Sequence, residues 1–260
     1  MKRLLPILPL LSLLPLSAFA ETAEEKGLAI AVEADRRDLG WGDSRADMEM
    51  ILRNKQGESS EREIRVRTLE VEGDGDKSLT IFDHPADVEG TAFLSYTHAT
   101  EPDDQWLYLP ALKRVKRIAS ANKSGPFMGG EFAFEDISSQ EVEKYSYKWL
   151  RDEALDGMDC FVVERIPQYE HSGYTRQVVW IDMEHYRPQK VDYYDRKGAH
   201  LKTLTFHEYN QYLDQYWRAD RMEMVNHLNG KSTTLKWSNY EFGNGYTERD
   251  FDQNTLKRVR

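Results

Sequence analysis

Three groups of residues in this 260-residue chain have types and spacing that could do chemistry. The first is a set of acids, Glu131, Glu135 and Asp136, close enough in sequence to suggest a carboxylate pair for general acid–base work. In a chain with 45 acidic residues such proximity arises by chance, so the pair carries little weight. The second is the histidines at 84, 98, 171, 185, 200, 207 and 227. His207-Glu208 lacks the second histidine of a zinc-protease helix, and no metal-ligand spacing links the others. The third is Cys160, the single cysteine, which cannot form an internal disulfide and sits in the apolar run "GMDCFVVERI". A buried structural thiol is expected there, since no basic neighbour is present to lower its pKa. There is no G-x-S-x-G elbow and no phosphate loop in context. The expectation is a non-enzyme with no catalytic residues, no metal and no cofactor.

The stretch "YLPALKRVKRIASANKSGPFMGGEFAFEDI" offers binding instead. Lys113, Arg114, Lys116 and Arg117 cluster in a chain of formal charge −10. Their charges would lie on both faces of a strand. One reading is an edge strand protected against aggregation. The other is a docking surface for anionic headgroups or an acidic partner. The loop that follows carries Phe127, Met128, Phe132 and Phe134 on a backbone loosened by Gly125, Gly129 and Gly130. Such a loop would be a lid at the mouth of a greasy cavity or a plug in the end of a barrel.

The elements that must position these groups begin after a leader. Lys2-Arg3, an apolar run from Leu4 to Leu16 and the Ala18-Phe19-Ala20 ending are the parts of a secretory signal peptide, with cleavage expected after Ala20. Loss of Lys2 and Arg3 leaves 33 basic against 45 acidic residues, a net charge of −12. That balance argues against general nucleic-acid binding. No cysteine stands at the cleavage point to carry a lipid anchor, so a periplasmic protein is expected, with residues 21–260 as one domain.

Residues 23–37 read as a helix, with Leu28, Val32 and Ile30 sharing a face. From there the period falls to two. "DMEMILRN", "REIRVRTLEVEG", "QWLYLP", "RQVVWID" and "STTLKWSNYEF" are strand-like, with turn residues between most segments. A slip in the apolar spacing predicts a bulge near Arg67–Thr68. The final "TERDFDQNTLKRV" reads as a short helix. Many strands joined by short turns give an antiparallel meander, in a sandwich or a barrel. In "QWLYLP", Trp106 and Tyr108 share one side and Leu107 and Leu109 the other, with the leucines expected inward.

With "GTAFLSY" before it and "WIDMEHYRPQKVDYYDRKGAHLKTL" after it, the Trp106-to-Ile137 stretch resembles the LolA-like outer-membrane lipoprotein-sorting proteins, and within them the periplasmic partners of RND-type exporters. The resemblance spans essentially the whole chain after the leader. It implies a mainly β (α+β) fold: a strongly curved antiparallel sheet forming an incomplete, half-open barrel covered by helices. It also implies an apolar concave face that holds a lipoprotein acyl chain or another lipid-like ligand, with Leu107, Leu109, Phe127, Met128, Phe132 and Phe134 as candidate contacts. An RND-type transporter or a membrane acceptor would be the partner, and a non-carrier accessory protein docked on such an exporter is the other role it implies. Where family loops often read F-M-G-S, this chain has Gly130 in place of the serine. N-terminal sequencing of protein recovered from the periplasm is expected to begin at Glu21; a full-length, membrane-bound product would contradict the leader.

Overall fold

The computed structural model describes residues 21–258. The expected signal peptide, with Ala18 and Ala20, lies outside the described residues. Helix α1 (Ala23–Arg37) opens with a capping box, in which Thr22 accepts from the Glu25 amide and the Glu25 carboxylate answers the Thr22 amide. Thirteen strands follow: β1 (Asp43–Arg53), β2 (Ser59–Leu69), β3 (Lys77–His84), β4 (Ala92–Tyr96), β5 (Asp104–Leu109), β6 (Arg114–Arg117), β7 (Tyr145–Leu155), β8 (Met158–Pro167), β9 (Tyr174–Asp182), β10 (Pro188–Asp195), β11 (His200–Tyr212), β12 (Tyr216–Asn226) and β13 (Ser232–Phe242).

All thirteen form one curved antiparallel sheet in the order β6-β5-β4-β3-β2-β1-β13-β12-β11-β10-β9-β8-β7. Every neighbouring pair is a sequential hairpin neighbour except β1 and β13, which close the middle of the sheet from Ser44 opposite Phe242 to Arg53 opposite Ser232. The sheet does not close on itself, and β6 and β7 are its two edges. This is the mainly β, half-open barrel expected from the alternation and the resemblance.

Alternation sorts the side chains onto two faces. Met48, Met50, Ile64, Val66, Phe82, Phe93 and Leu107 point into the concave core. Leu79, Ile81, Ala92 and Leu94 point outward and would be exposed, but the C-terminal segment folds back over them and buries Phe251 and Leu256 there. That segment makes two 3-10 turns, Glu248–Phe251 and Leu256–Arg258, rather than the single short helix expected. The β1–β2 ladder runs without interruption from Asp43 opposite Leu69 to Arg53 opposite Ser59. The expected bulge at Arg67–Thr68 is therefore absent, and the register shift in β2 lies at Glu63/Ile64, against β3. Cys160 is fully buried on the outer face with Val162, Val178 and Trp180; burial pushes its thiol up to about 11, which makes it inert.

α1 packs on β7, and it does so through its small face. Gly27 and Ile30 are buried, while Leu28 and Val32 are 47% and 48% exposed, so of the expected apolar face only Ile30 turns inward. The reason is proximity. A Cβ at Gly27 would lie 2.6 Å from the Trp149 backbone nitrogen and 2.8 Å from the Lys148 backbone. Lys26 completes the seat with its ammonium 3.6 Å from the Trp149 ring centroid. Only the glycine side of the helix allows this approach. Gly27→Leu should therefore lift α1 off β7 and lower stability by about 1–3 kcal/mol, the range for overpacking, read as a drop in urea midpoint. An unchanged midpoint would show that the helix is not seated on Gly27.

Candidate functional site: the cavity and its plug

Residues 118–144 join the two edge strands and fill the concave side. Phe127 and Phe132 are 1% and 2% exposed. The Phe127 ring meets Phe93 at 5.2 Å, Phe134 at 5.4 Å and Phe82 at 6.1 Å between centroids. The Phe127 amide donates to the Phe132 carbonyl at 2.7 Å, which folds the segment into a compact knuckle. Gly130 fits where a side chain would not, because a Cβ there would lie 2.5 Å from the Met50 methyl. In this structure the loop is packed into the barrel as a plug.

The three acids dismissed as an acid–base pair hold that plug. Lys202 donates to Asp136 Oδ2 at 2.7 Å and to the Glu131 carbonyl at 2.8 Å, and the Lys202–Asp136 pair is buried. The Tyr174 hydroxyl donates to Asp136 at 2.9 Å. Asn226 donates to the Glu131 carboxylate at 2.6 Å, and the Glu131 amide donates to Thr233 Oγ1 at 2.9 Å. Glu135 accepts from the Gly173 amide at 2.8 Å, Ser172 at 2.9 Å and Tyr169 at 3.0 Å. Burial, then the neighbouring Asp136, raises the Glu135 pKa above the ordinary carboxylate value. Each of these carboxylates accepts hydrogen bonds that tie the plug to the sheet or to residues 169–173.

The plug corks one end of the barrel. Its partners Asn226 and Thr233 flank the β12–β13 turn. At the other end, beside the β2–β3 loop and the β9–β10 turn, a cavity of about 590 Å³ opens. Its deep wall is apolar, with Tyr147, Val163, Val179, Ile181, Phe206 and Met222, and α1 contributes Ala31 and Ala34. The rim is charged: Asp35, Asp38, Glu70, Asp76 and Glu141 stand near Arg165, Arg187 and Arg218. A second cavity, about 380 Å³, lies behind the plug. Several of its polar groups are engaged with one another. Lys144 pairs with the Asp103 carboxylate, Lys123 donates to the Asp103 carbonyl at 2.6 Å, and Tyr169 binds Glu135. The larger, apolar-walled cavity is the candidate binding site.

The six residues expected at the ligand come together in the core. Leu107 and Leu109 face inward, and with Phe127, Met128, Phe132 and Phe134 they belong to the packed inner core. None of the six lines the open cavity. Trp106 and Tyr108 lie on the outer face beneath the C-terminal segment. The four basic residues sit on and beside the edge strand β6, all exposed; Arg117 pairs with Asp104, whereas Lys113, Arg114 and Lys116 form no ion pair among the described residues. Among the described residues no group of three His, Cys, Asp or Glu side chains is arranged to hold a metal, and no helix is long and apolar enough to cross a membrane.

The rim titrates near neutrality. Burial pushes Asp76 up to about 6. Burial, then the charge of Asp76, pushes Glu141 up to about 7. The folded state thus holds protons that the unfolded chain has released, so stability falls as pH rises from about 4 to 7 and is level above that. A shifted unit is worth about 1.4 kcal/mol before solvent screening. Glu141→Gln should therefore stabilise the protein by about 1 kcal/mol or more at pH 8 and by almost nothing near pH 4. Urea denaturation at the two pH values checks this; an equal effect at both would refute the raised pKa.

A family model described only as an uncharacterized protein matches residues 74–258. Among curated proteins no sequence matches. Three solved structures share the architecture. A domain from Vibrio parahaemolyticus, named as a candidate outer-membrane lipoprotein-sorting protein, is 64% identical, with 90% of this chain and 100% of that one covered and a TM-score of 0.89. A DUF1329 family protein from Desulfovibrio piger is 31% identical over 90% of this chain and 99% of that one, with a TM-score of 0.85. The LolA superfamily protein NE2245 from Nitrosomonas europaea has the same fold at 21% identity, over 90% and 99% of the two chains, with a TM-score of 0.71. The half-open barrel and the near full-length likeness to the Vibrio and Desulfovibrio proteins lead to one assignment: the chain has the fold of the LolA superfamily protein and belongs to the DUF1329 family, together with the Vibrio domain named for lipoprotein sorting.

Proposed function

We propose that the protein is a periplasmic carrier that holds the acyl chain of a lipoprotein, or a comparable lipid-like ligand, in the cavity at the open end of its barrel, without chemistry. The observation that carries this reading is the apolar deep wall of a cavity of about 590 Å³, a size typical of small-ligand sites, beside a charged rim. Val163, Val179, Ile181, Phe206 and Met222 would take the apolar chain, and the rim would keep a polar head in water. The 64% identical relative named for lipoprotein sorting supports the same class of cargo. Release would be governed by the acceptor's greater affinity, with about 0.8 kcal/mol at stake per buried methylene. The plug has no part in this exchange, since Phe127 is a core residue whose truncation would cost about 3–5 kcal/mol of stability.

A fluorescent fatty-acyl probe tests the reading. It should gain intensity on binding, and Val179→Arg should abolish that gain while Leu112→Ser, remote from the cavity, leaves it intact. Protein purified from the periplasm should also release extractable lipid. If no probe binds below its own aggregation concentration and no lipid copurifies, the carrier reading fails and the non-carrier role, an accessory protein on an RND-type exporter, replaces it.

A further inference from the structure

The corked end presents a surface that the cavity does not explain. Between β5 and β6 the chain turns through a 3-10 turn, Pro110–Leu112, and Lys113 then takes a left-handed φ of 49° that sends it back along the edge. Leu112, at the apex, is 64% exposed, the most exposed large apolar side chain among the described residues. Lys113 and Arg114 follow it directly, and Lys116 lies further along β6, opposite Leu107; all three are exposed and without ion pairs among the described residues. The antiparallel order places the β12–β13 turn at the same end, where Leu228 is also exposed beside Lys231.

We propose that this tip docks on an anionic lipid surface, with Leu112 entering the headgroup region and Lys113, Arg114 and Lys116 meeting the lipid phosphates. An exposed leucine at the head of a strand of unpaired cations suits a charged interface better than water. The apolar group gains from burial, and each cation near an anionic leaflet adds attraction. A basic edge that only prevents strand pairing would need no leucine at its apex. The rest of the molecule sets the orientation. At the cavity end the β2–β3 and β4–β5 loops carry Glu70, Glu72, Asp74, Asp76 and Glu101, and the rim arginines Arg165, Arg187 and Arg218 stand among acids, so that end offers no comparable run of unpaired cations to an anionic surface. The β3–β4 loop beside the tip carries Asp87 and Glu89, so the attraction is confined to the hairpin and β6. The mouth of the cavity would then face away from the membrane to which the tip holds. This inference does not depend on the carrier reading, because a protein with an empty cavity would dock equally well.

Vesicle binding decides it. The mature protein should sediment at low ionic strength with vesicles containing phosphatidylglycerol, and not with phosphatidylcholine alone. Arg114→Gln with Lys116→Gln should weaken binding roughly twenty-five-fold, about fivefold per charge, with an unchanged far-ultraviolet spectrum. Orientation is read with an environment-sensitive fluorophore at Leu112→Cys or at Leu213→Cys, which is exposed at the cavity end; the native Cys160 is fully buried and escapes labelling. Emission should shift to the blue at 112 and stay fixed at 213. Equal binding to both vesicle types, no binding at low salt, or a shift at 213 rather than 112 would each overturn the proposal. Capture of an acidic protein in the absence of any vesicle binding would reassign the tip to a protein partner.

Discussion

An antiparallel sheet that curves but does not close must bury its concave face with something other than itself. Here thirteen strands leave β6 and β7 unpaired on their outer sides, and the inner face of every strand between them needs cover. The chain meets this requirement with the segment that joins those two edges. Residues 118–144 turn inward, fill one end with Phe127 and Phe132, and leave the other end open. The opening exists because the filler is short: α1 and residues 137–142 border the remaining space but do not occupy it.

A plug held by apolar contacts alone would be free to slide, since burial is non-directional. The Lys202–Asp136 pair, with Tyr174 on the same carboxylate, supplies direction. Such buried ion pairs add little net stability relative to an apolar replacement, but losing one partner strands the other, so they penalise every alternative seating. Glu135 and Glu131 act in the same sense through neutral donors from residues 172–173 and from β12. The result is a core that is specified at one end and permissive at the other.

The sheet was legible in the sequence because period-two alternation is a local signal. Ile64 and Val66 in β2 display it plainly, and Leu107 and Leu109 face inward as it requires. The cavity wall was not legible. In β9 the run Val178 to Ile181 is buried on both faces, Val179 and Ile181 within and Val178 and Trp180 without, so the pattern names no inner side. The aromatic loop was read as apolar and adaptable from its glycines, yet its acids were the informative residues. Their partners Lys202, Tyr174 and Asn226 lie far along the chain and become neighbours only in the assembled sheet. The helix face failed for a similar reason: size mattered more than hydrophobicity once Gly27 met the β7 backbone.

The seam between β1 and β13 has a consequence in time. All other strand pairs join segments adjacent in the chain, so β1 to β6 and β7 to β13 can each assemble as a run of local hairpins, which topology makes comparatively fast. The first strand, however, is paired on its second side only by the last, with Arg53 opposite Ser232 and Ser44 opposite Phe242. Until residue 242 has emerged, β1 remains an open strand edge bearing Met48, Met50 and Ile51, and the half-formed sheet is vulnerable to pairing with another copy. The slowest and most exposed moment in the life of this chain is therefore its last, when the final strand arrives to join the two halves.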